Sequence, residues 1–347
     1  MKAVVKTKEG YDNMALMEVE EPQVYGDRIK IRTAYTGICG SDIHTFKGEY
    51  NSKNLPVTLG HEFSGIVAEV GPDVKKFKVG DRVTSETTFE TCGKCIYCLR
   101  HDYNLCPNRQ GIGTQVNGSM AEYVLSREES CHLVPDHVSL KAAAMSEPLA
   151  CAIHPAIEKA NVQSSDVVLI IGPGPVGLLL LQVVKALGAK AIVVGITKDL
   201  PRLNLAKDLG ADIIVNSMEE NLSELVLSET NGNGVDIAFD CSGAVVAVNQ
   251  ALPLVIKGGK FVQVGLFAEK SNSIDEDSII QREIQYMGSR SQKPSTWEIV
   301  MDFWDKDKIN SEKMITKEVD LEHWRDAFEA VMGGNEIKVL IASTPEV

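Results

Sequence analysis

The sequence predicts an α/β protein in which a β-rich region precedes a doubly wound parallel sheet. Three observations carry that prediction. At 347 residues the chain exceeds one ordinary small domain and is comfortable as two, each large enough to bury its own core. From the start to about Asp136 it runs in short alternating or apolar stretches, KAVVK, RIKIRTAY, FSGIVAEV and DRVTSETTF, punctuated by Gly, Pro and Asp; this is β texture. From Asp166 onward, apolar runs of four to six residues alternate with helical segments, the rhythm of parallel strands joined by crossover helices.

Taken in order, the candidate strands of the second part are Val167 to Ile171, Ala191 to Gly195, Ile213 to Val215, Val235 to Asp240, Lys260 to Gly265 and Ile284 to Met287. Two amphipathic segments follow, around Trp297 to Trp304 and His323 to Met332, and then the strand-like IKVLIAS. By pattern alone these last sixty residues fit either domain. No repeat, low-complexity tract or long Pro/Ser linker occurs, so the expectation is two domains packed directly with a cleft between them, where ligands bind.

Composition removes several function classes. With 48 acidic against 35 basic side chains the formal charge is −13, and such a field repels phosphate backbones, which argues against nucleic acid as partner. The opening MKAVVKTKEG lacks the apolar core of a signal peptide. The longest apolar stretch, Val167 to Val184, is interrupted by Gly172, Pro173, Gly174, Pro175 and Gly177; it reads as strand, turn and buried helix instead of a membrane span. Eight cysteines, four of them between Cys92 and Cys106, suggest metal ligation in a reducing compartment, with the cytoplasm as the default.

The stretch VVLIIGPGPVGLLLLQVVKALGA sets Gly172, Gly174 and Gly177 in the GxGxxG spacing, after a strand and at a helix start. In that context the spacing marks the dinucleotide site of a Rossmann domain. Gly172 permits the tight turn, Gly174 clears the way for the pyrophosphate, and Gly177 lets helix and strand approach. The helix start, with Pro175 and Val176, adds amide donors and a favourable dipole. The second strand of such a domain usually ends in an acid that grips the adenosine ribose, but here the chain reads Val193, Val194, Gly195, Ile196, Thr197, Lys198. Thr197 falls at the acid's place, and Lys198 and Arg202 offer positive charge to a 2′-phosphate. NADP, or both coenzymes, is admitted. Asp199 binding ribose, with Lys198 and Arg202 as solvated helix-start residues, is the alternative.

Cys92, Cys95, Cys98 and Cys106 form CxxCxxCx7C, with Gly93 and Asn104 in loops that can wrap an ion. Four thiolates at this spacing make a closed structural zinc site, with no corner left for substrate. Cys131, Cys151 and Cys241 stand alone and are expected to be packing residues. Other ligand-capable residues, Cys39, His44, His61, Glu62 and Glu147, are spread too widely for spacing to define a second site.

A resemblance supplies that site. GHEFSGIVAEVGPDV followed by VGDRV resembles the zinc alcohol dehydrogenase signature GHExxGxVxxxGxxV, and YTGICGSDIH resembles the family segment carrying its first metal cysteine. The likeness to the zinc-containing medium-chain alcohol dehydrogenases covers essentially the whole chain. It implies a GroES-like catalytic domain over 1–153, a Rossmann coenzyme domain over 154–289, and a return to the catalytic domain over 290–347. It implies Cys39 and His61 as ligands of a catalytic zinc, with Glu62 or Glu147 completing the sphere directly or through water; the harder ligand set also accepts manganese. Glu147, in SEPLAC, points to the polyol dehydrogenase branch, because relatives acting on simple alcohols commonly place a cysteine there. It further implies a proton relay from Ser41 through the coenzyme ribose to His44 and solvent.

Stretches such as AYTGICGSDIHTFKGEY, GIGTQVNGSMAEYVLSREES and SIIQREIQYMGSRSQ are similar to the members of that branch acting on polyol phosphates, D-arabitol phosphate among them. No motif in the chain demands a phosphate independently; Arg290, with Lys47 or Arg109 as weaker candidates, is the cation that would hold one. The function implied is an NAD(P)-dependent oxidation of a secondary alcohol of a polyol phosphate in a homo-oligomer, as a tetramer. Unphosphorylated sorbitol or xylitol, or L-threonine, is the competing substrate. A non-catalytic coenzyme-binding protein or a metal-free quinone reductase would share the architecture, but neither needs Cys39, His61, Glu147, Ser41 and His44 together.

Overall fold

The computed structural model describes residues 1–49, 54–269 and 271–344. The chain forms two compact units. One comprises Met1–Glu147, Gln292–Lys306 and Ser311–Val347; the other comprises Pro148–Ser291 and Asp307–Asn310. The final sixty residues, which pattern alone fitted to either part, therefore fall almost wholly in the first unit.

The first unit is built on a seven-stranded sheet. Its path runs Cys131–Leu133, Arg82–Ser85, Glu62–Val70, Arg28–Gly37, Lys338–Ala342 and Ile315–Asp320, with Tyr123–Arg127 pairing on Arg28–Gly37. The IKVLIAS segment enters this sheet by antiparallel pairing, Leu340 opposite Gly37 and Ala342 opposite Tyr35, because its five strand residues are buried throughout and need a cover on both faces. A three-stranded antiparallel sheet, Met14–Glu18, Lys2–Lys6 and Val57–Thr58, and a two-stranded ribbon, Thr88–Glu90 with Gln110–Gly111, complete the β structure. Ile29, Ile31, Phe63, Val67, Val83 and Val124 fill the core between them.

An eight-residue helix interrupts the β texture where none was expected. Gly40–Lys47 starts because the Asp42 carboxylate reaches back to the Cys39 amide at 2.9 Å, and it stops at Gly48, whose φ of +77° only glycine adopts freely. A Cβ on Gly48 would also lie 2.7 Å from the Gly10 carbonyl carbon. The amphipathic segment near Trp297 forms the helix Pro294–Asp305, which buries Thr296, Trp297, Val300, Phe303 and Trp304 at helical spacing. The segment near His323 forms Trp324–Gly333, which packs Trp324, Ala327 and Phe328 into the core with Ile43 and Phe46.

In the second unit six parallel strands lie in the order Ile213–Asn216, Lys190–Gly195, Val167–Ile171, Val235–Asp240, Val255–Gln263, Gln285–Gly288. The chain starts at the middle and winds outward in both directions, which makes the doubly wound sheet. One strand differs from the pattern reading: it begins at Val255 and ends at Gln263, where Lys260 to Gly265 was expected. Gly258 and Gly259 hid its first half, and the register shift between Val235 and Ile237 opposite them absorbs the irregularity. The long apolar stretch divides as expected into the strand Val167–Ile171 and the helix Pro175–Ala186, whose Leu178 to Leu181 are wholly buried. Among the described residues no helix is long and apolar enough to cross a membrane.

Candidate functional site

In the first unit the sequence arranges three ligand-capable residues around one point. Cys39 ends the link from the strand Arg28–Gly37 and caps the helix Gly40–Lys47; His61 and Glu62 open the strand Glu62–Val70. Antiparallel pairing of Gly37 with Glu62 brings the two stretches together, and Cys39, His61 and Glu62 each offer a ligand atom, all within 4.8 Å of one another. His61 is 8 % exposed, and its Nδ1 has no hydrogen-bond partner; the nearest carboxylate, of Asp42, stands at 3.8 Å. Burial works against a charged His61, yet Asp42 and Cys39 outweigh it and hold its pKa well above the ordinary value. A thiol, an imidazole and carboxylates converging in a buried place, with the imidazole backed by a further carboxylate, is a donor set that fits zinc.

Glu62 is the carboxylate gathered with Cys39 and His61 among the described residues, and Glu147 acts on this group through its charge. Glu62 is 2 % exposed and is bound by the ammonium of Lys338, itself 2 % exposed, which also donates to the Ile38 carbonyl at 3.0 Å. Burial disfavours a charged Lys338, but Glu62, Cys39 and Glu147 together raise its pKa above the ordinary value. Glu147, buried at the start of the helix Ser146–Ile153, thus projects its negative charge onto both Lys338 and His61. Sequence reasoning missed Lys338, Asp42 and Gly37. A Cβ on Gly37 would fall 2.4 Å from Glu62 and 2.7 Å from Lys338, so glycine there is what admits the ion pair. The one available signal was a lysine opening an otherwise apolar strand.

Ser41 is half-buried and His44 exposed, one helical turn apart on Gly40–Lys47; His44 Nδ1 meets Glu49 at 2.7 Å. Lys47 is exposed at the end of the same helix. Arg109 is half-buried against Thr87 and Thr88. Arg290 is exposed, two residues beyond the strand Gln285–Gly288 of the second unit.

The four cysteines of the CxxCxxCx7C stretch come together in space. Cys92, Cys95, Cys98 and Cys106 lie within 4.8 Å, with sulfur separations of 3.8 Å for Cys92 and Cys98, 3.5 Å for Cys95 and Cys98, and 3.7 Å for Cys92 and Cys106. Zinc–sulfur bonds of about 2.3 Å at tetrahedral angles require edges of about 3.8 Å, so the cage has the size of the ion. Backbone amides of Lys94 and Cys95 lower the Cys92 thiol to about 6, which favours the thiolate a metal needs. Burial instead pushes the isolated Cys131 up to about 12, in keeping with a packing residue.

In the second unit the glycine turn tests the dinucleotide reading position by position. Gly172 has φ +93°, and a Cβ on it would lie 2.9 Å from Ser242. A Cβ on Gly177 would lie 2.1 Å from the Gly172 oxygen, whereas one on Gly174 would meet nothing within 4 Å. Gly172 and Gly177 are therefore glycines by necessity of packing, and Gly174 leaves open space before the first turn of Pro175–Ala186, where the amides of Val176 and Gly177 lack intrahelical acceptors. That is a cradle fit for a pyrophosphate. At the end of the next strand, Thr197 exchanges hydrogen bonds with Asn216 and points toward Glu219 at 3.3 Å. Lys198 is exposed. Asp199 folds back onto the Ile196 amide at 3.2 Å and stands 3.7 Å from Arg202.

Comparison with known proteins decides the family. Residues 26–136 match the alcohol dehydrogenase GroES-like domain, and residues 175–306 match the zinc-binding dehydrogenase domain. The chain belongs to the zinc-type medium-chain alcohol dehydrogenases. The dehydrogenase is 59 % identical over 346 residues to D-arabitol-phosphate dehydrogenase of Enterococcus avium, covering 100 % of this chain and 98 % of that protein. It is 47 % identical to a sorbitol dehydrogenase of Halalkalibacterium halodurans, covering 98 % and 99 %. Among solved structures, a putative zinc-binding dehydrogenase of Sinorhizobium meliloti bound to NADP superposes with a TM-score of 0.91 at 30 % identity, covering 99 % of each chain. The dehydrogenase is thus an NAD(P)- and zinc-dependent oxidoreductase of the polyol branch with GroES-like and Rossmann domains.

Proposed function

We propose that the dehydrogenase oxidises a secondary alcohol of a polyol phosphate, D-arabitol phosphate first among them, to the ketose phosphate. The observation that carries this reading is its identity, along the full chain, with the D-arabitol-phosphate dehydrogenase of Enterococcus avium. Cys39 and His61 hold the catalytic ion, with Glu147 or Glu62 as the carboxylate; zinc is the first choice and manganese the second. Cys92, Cys95, Cys98 and Cys106 hold a structural zinc. When bound, zinc supplies Lewis-acid polarisation of the alcohol, and the nicotinamide coenzyme accepts the hydride.

The chain's own residues supply the rest. Gly172, Gly174, Pro175, Val176 and Gly177 seat the pyrophosphate and so orient the coenzyme. Ser41 accepts the hydroxyl proton, and His44, exposed one turn away, delivers it to solvent. Lys338 neutralises Glu62, and the Glu147 carboxylate bears by its charge on both Lys338 and His61. Thr197, Lys198 and Arg202 contact the adenosine ribose or its phosphate, and either coenzyme serves. Arg290, with Lys47 or Arg109 as weaker candidates, is the anchor for the substrate's phosphate. A cytoplasmic homo-tetramer completes the reading; eight cysteines, none of them joined in a disulfide among the described residues, suit a reducing compartment, and sedimentation of the purified enzyme tests the assembly.

A second reading, oxidation of the unphosphorylated polyol, is favoured by the likeness to sorbitol dehydrogenase. A panel of D-arabitol phosphate, D-arabitol, sorbitol, xylitol and L-threonine with NAD and NADP separates the two. The phosphate reading expects kcat/KM for the phosphate to exceed that for every unphosphorylated substrate; equal or higher values for D-arabitol or sorbitol reject it.

A further inference from the structure

Beside the candidate metal ligands lies a second group of buried polar side chains that no sequence motif explains. Thr87, Arg109 and Gln292 come from three separate stretches of the first unit. Arg109 donates from Nε to the Thr88 hydroxyl at 3.0 Å and from Nη2 to the Thr87 hydroxyl at 2.5 Å. Gln292 Nε2 donates to the same Thr87 oxygen at 3.1 Å. Thr87 is 5 % exposed and Gln292 1 %.

Two features of the backbone set this group against the ligands. Ile112 donates its amide to the Thr87 carbonyl at 2.9 Å, and the next residue, Gly113, presses so closely on Gly60 that a Cβ would fall 2.4 Å from the Gly60 oxygen. Gly60 immediately precedes His61. On the other side, the antiparallel ladder pairs Ser64 with Thr84, so Glu62 and Glu86 follow two residues further along neighbouring strands, and Thr87 comes next. The Glu86 carboxylate is engaged by His132 at 3.3 Å, and His132 stacks on Trp297 at 4.9 Å.

Hydrogen-bond accounting in the group does not close. A hydroxyl oxygen accepts up to two bonds and donates one. Thr87 already accepts two, and among the described residues its proton finds no acceptor. The Gln292 carbonyl oxygen is buried without a partner. Turning the amide over gives Thr87 an acceptor but strands the NH2 instead, so one buried polar group stays unmatched in either orientation, at a cost that folded proteins rarely leave standing. An unmet O–H beside an unmet C=O is the complement of an alcohol, which accepts one bond and donates another. The guanidinium next to them is the complement of an anionic oxygen.

We infer that Thr87, Arg109 and Gln292 form the specificity-determining subsite of the dehydrogenase, Thr87 and Gln292 taking a hydroxyl of the polyol chain and Arg109 its phosphate. This rests on the polyol-phosphate reading and names the residues that enforce it. It chooses Arg109, on the unit that carries the metal ligands, over Arg290.

The test uses the full-length, zinc-loaded enzyme and the variants Gln292→Leu, Thr87→Val, Arg109→Met and Arg290→Met. Steady-state constants on D-arabitol phosphate and D-arabitol are combined with calorimetric binding of D-arabitol phosphate, which needs no turnover. Gln292→Leu should raise KM and Kd about 10-fold for both polyols while kcat stays within about twofold; Thr87→Val should do the same and stands in if Gln292→Leu does not fold. Arg109→Met should lower the ratio of kcat/KM for phosphate over free polyol about 30-fold. An unchanged KM in Gln292→Leu and Thr87→Val means that only water occupies the subsite, and overturns the inference. So does an equal fall for both substrates in Arg109→Met with a lowered Tm, which is a packing role alone, or a fall in the ratio for Arg290→Met but not for Arg109→Met. If the unaltered enzyme neither binds nor oxidises either polyol, the polyol reading itself has failed and the subsite falls with it.

Discussion

Lys338 shows how one residue can be invisible in a sequence and decisive in a fold. In the sequence it opens an apolar strand and looks like an edge lysine; in the structure it is buried against Glu62, 276 residues away. Breaking a buried ion pair by removing one partner leaves the other charge uncompensated, at a cost of about 3–5 kcal/mol. Lys338→Met should therefore lower stability by about 3–5 kcal/mol in urea titration, and a loss below about 1 kcal/mol would mean that Glu62 is not held as a charge by this lysine. Cys39 is the opposite case, legible from its motif. Cys39→Ala should abolish turnover and leave the four-cysteine zinc in place. Elemental analysis checks the metal, and full turnover in the variant would remove the proposed catalytic centre.

Whole elements are fastened by contacts that local pattern does not announce. The four-cysteine loop has little regular structure, only a short helical turn at Ile96–Leu99 and another at Tyr103–Leu105, so the proposed structural zinc would supply much of its folding free energy. Cys92→Ser should lower the Tm and the zinc content together, whereas a lower Tm at unchanged zinc would contradict the assigned cage. The helix Trp324–Gly333 is tied to the N-terminal loop by Arg325, whose guanidinium donates to both oxygens of Asp12 at 3.1 Å. That contact holds the Asp12 carboxyl below its ordinary value. A depressed carboxyl contributes stability above its unfolded pKa, about 3.9, and loses it as pH falls through the lower folded value. The Tm gap between the unaltered enzyme and Asp12→Asn should thus be the same at pH 5 and pH 7 and close below about pH 4; a gap constant to pH 3 would exclude the ion pair as its source.

At the scale of the molecule, the two candidate metal sites among the described residues differ in donor set, four sulfurs in one and a single sulfur in the other. Thiolate-rich sites hold zinc more firmly than mixed ones. Progressive chelation should accordingly remove one zinc per chain with loss of turnover, and a second only as the Tm falls. Simultaneous loss of both would show that the sites are not independent.

What the sequence determined by itself was whatever lies within a short span: the glycine turn from Gly172 to Gly177, the cysteine spacing from Cys92 to Cys106, the strand and helix periods, and, through resemblance, Cys39 and His61. Each is legible because turn geometry, tetrahedral ligation and side-chain period act over a few residues. The tertiary structure alone decided which distant residues share a pocket. Glu62 meets Lys338 only through the pairing of Gly37 with both Glu62 and Leu340, and Gln292 meets Thr87 across 205 residues. Register and burial set such meetings, and neither is a property of any local stretch of chain.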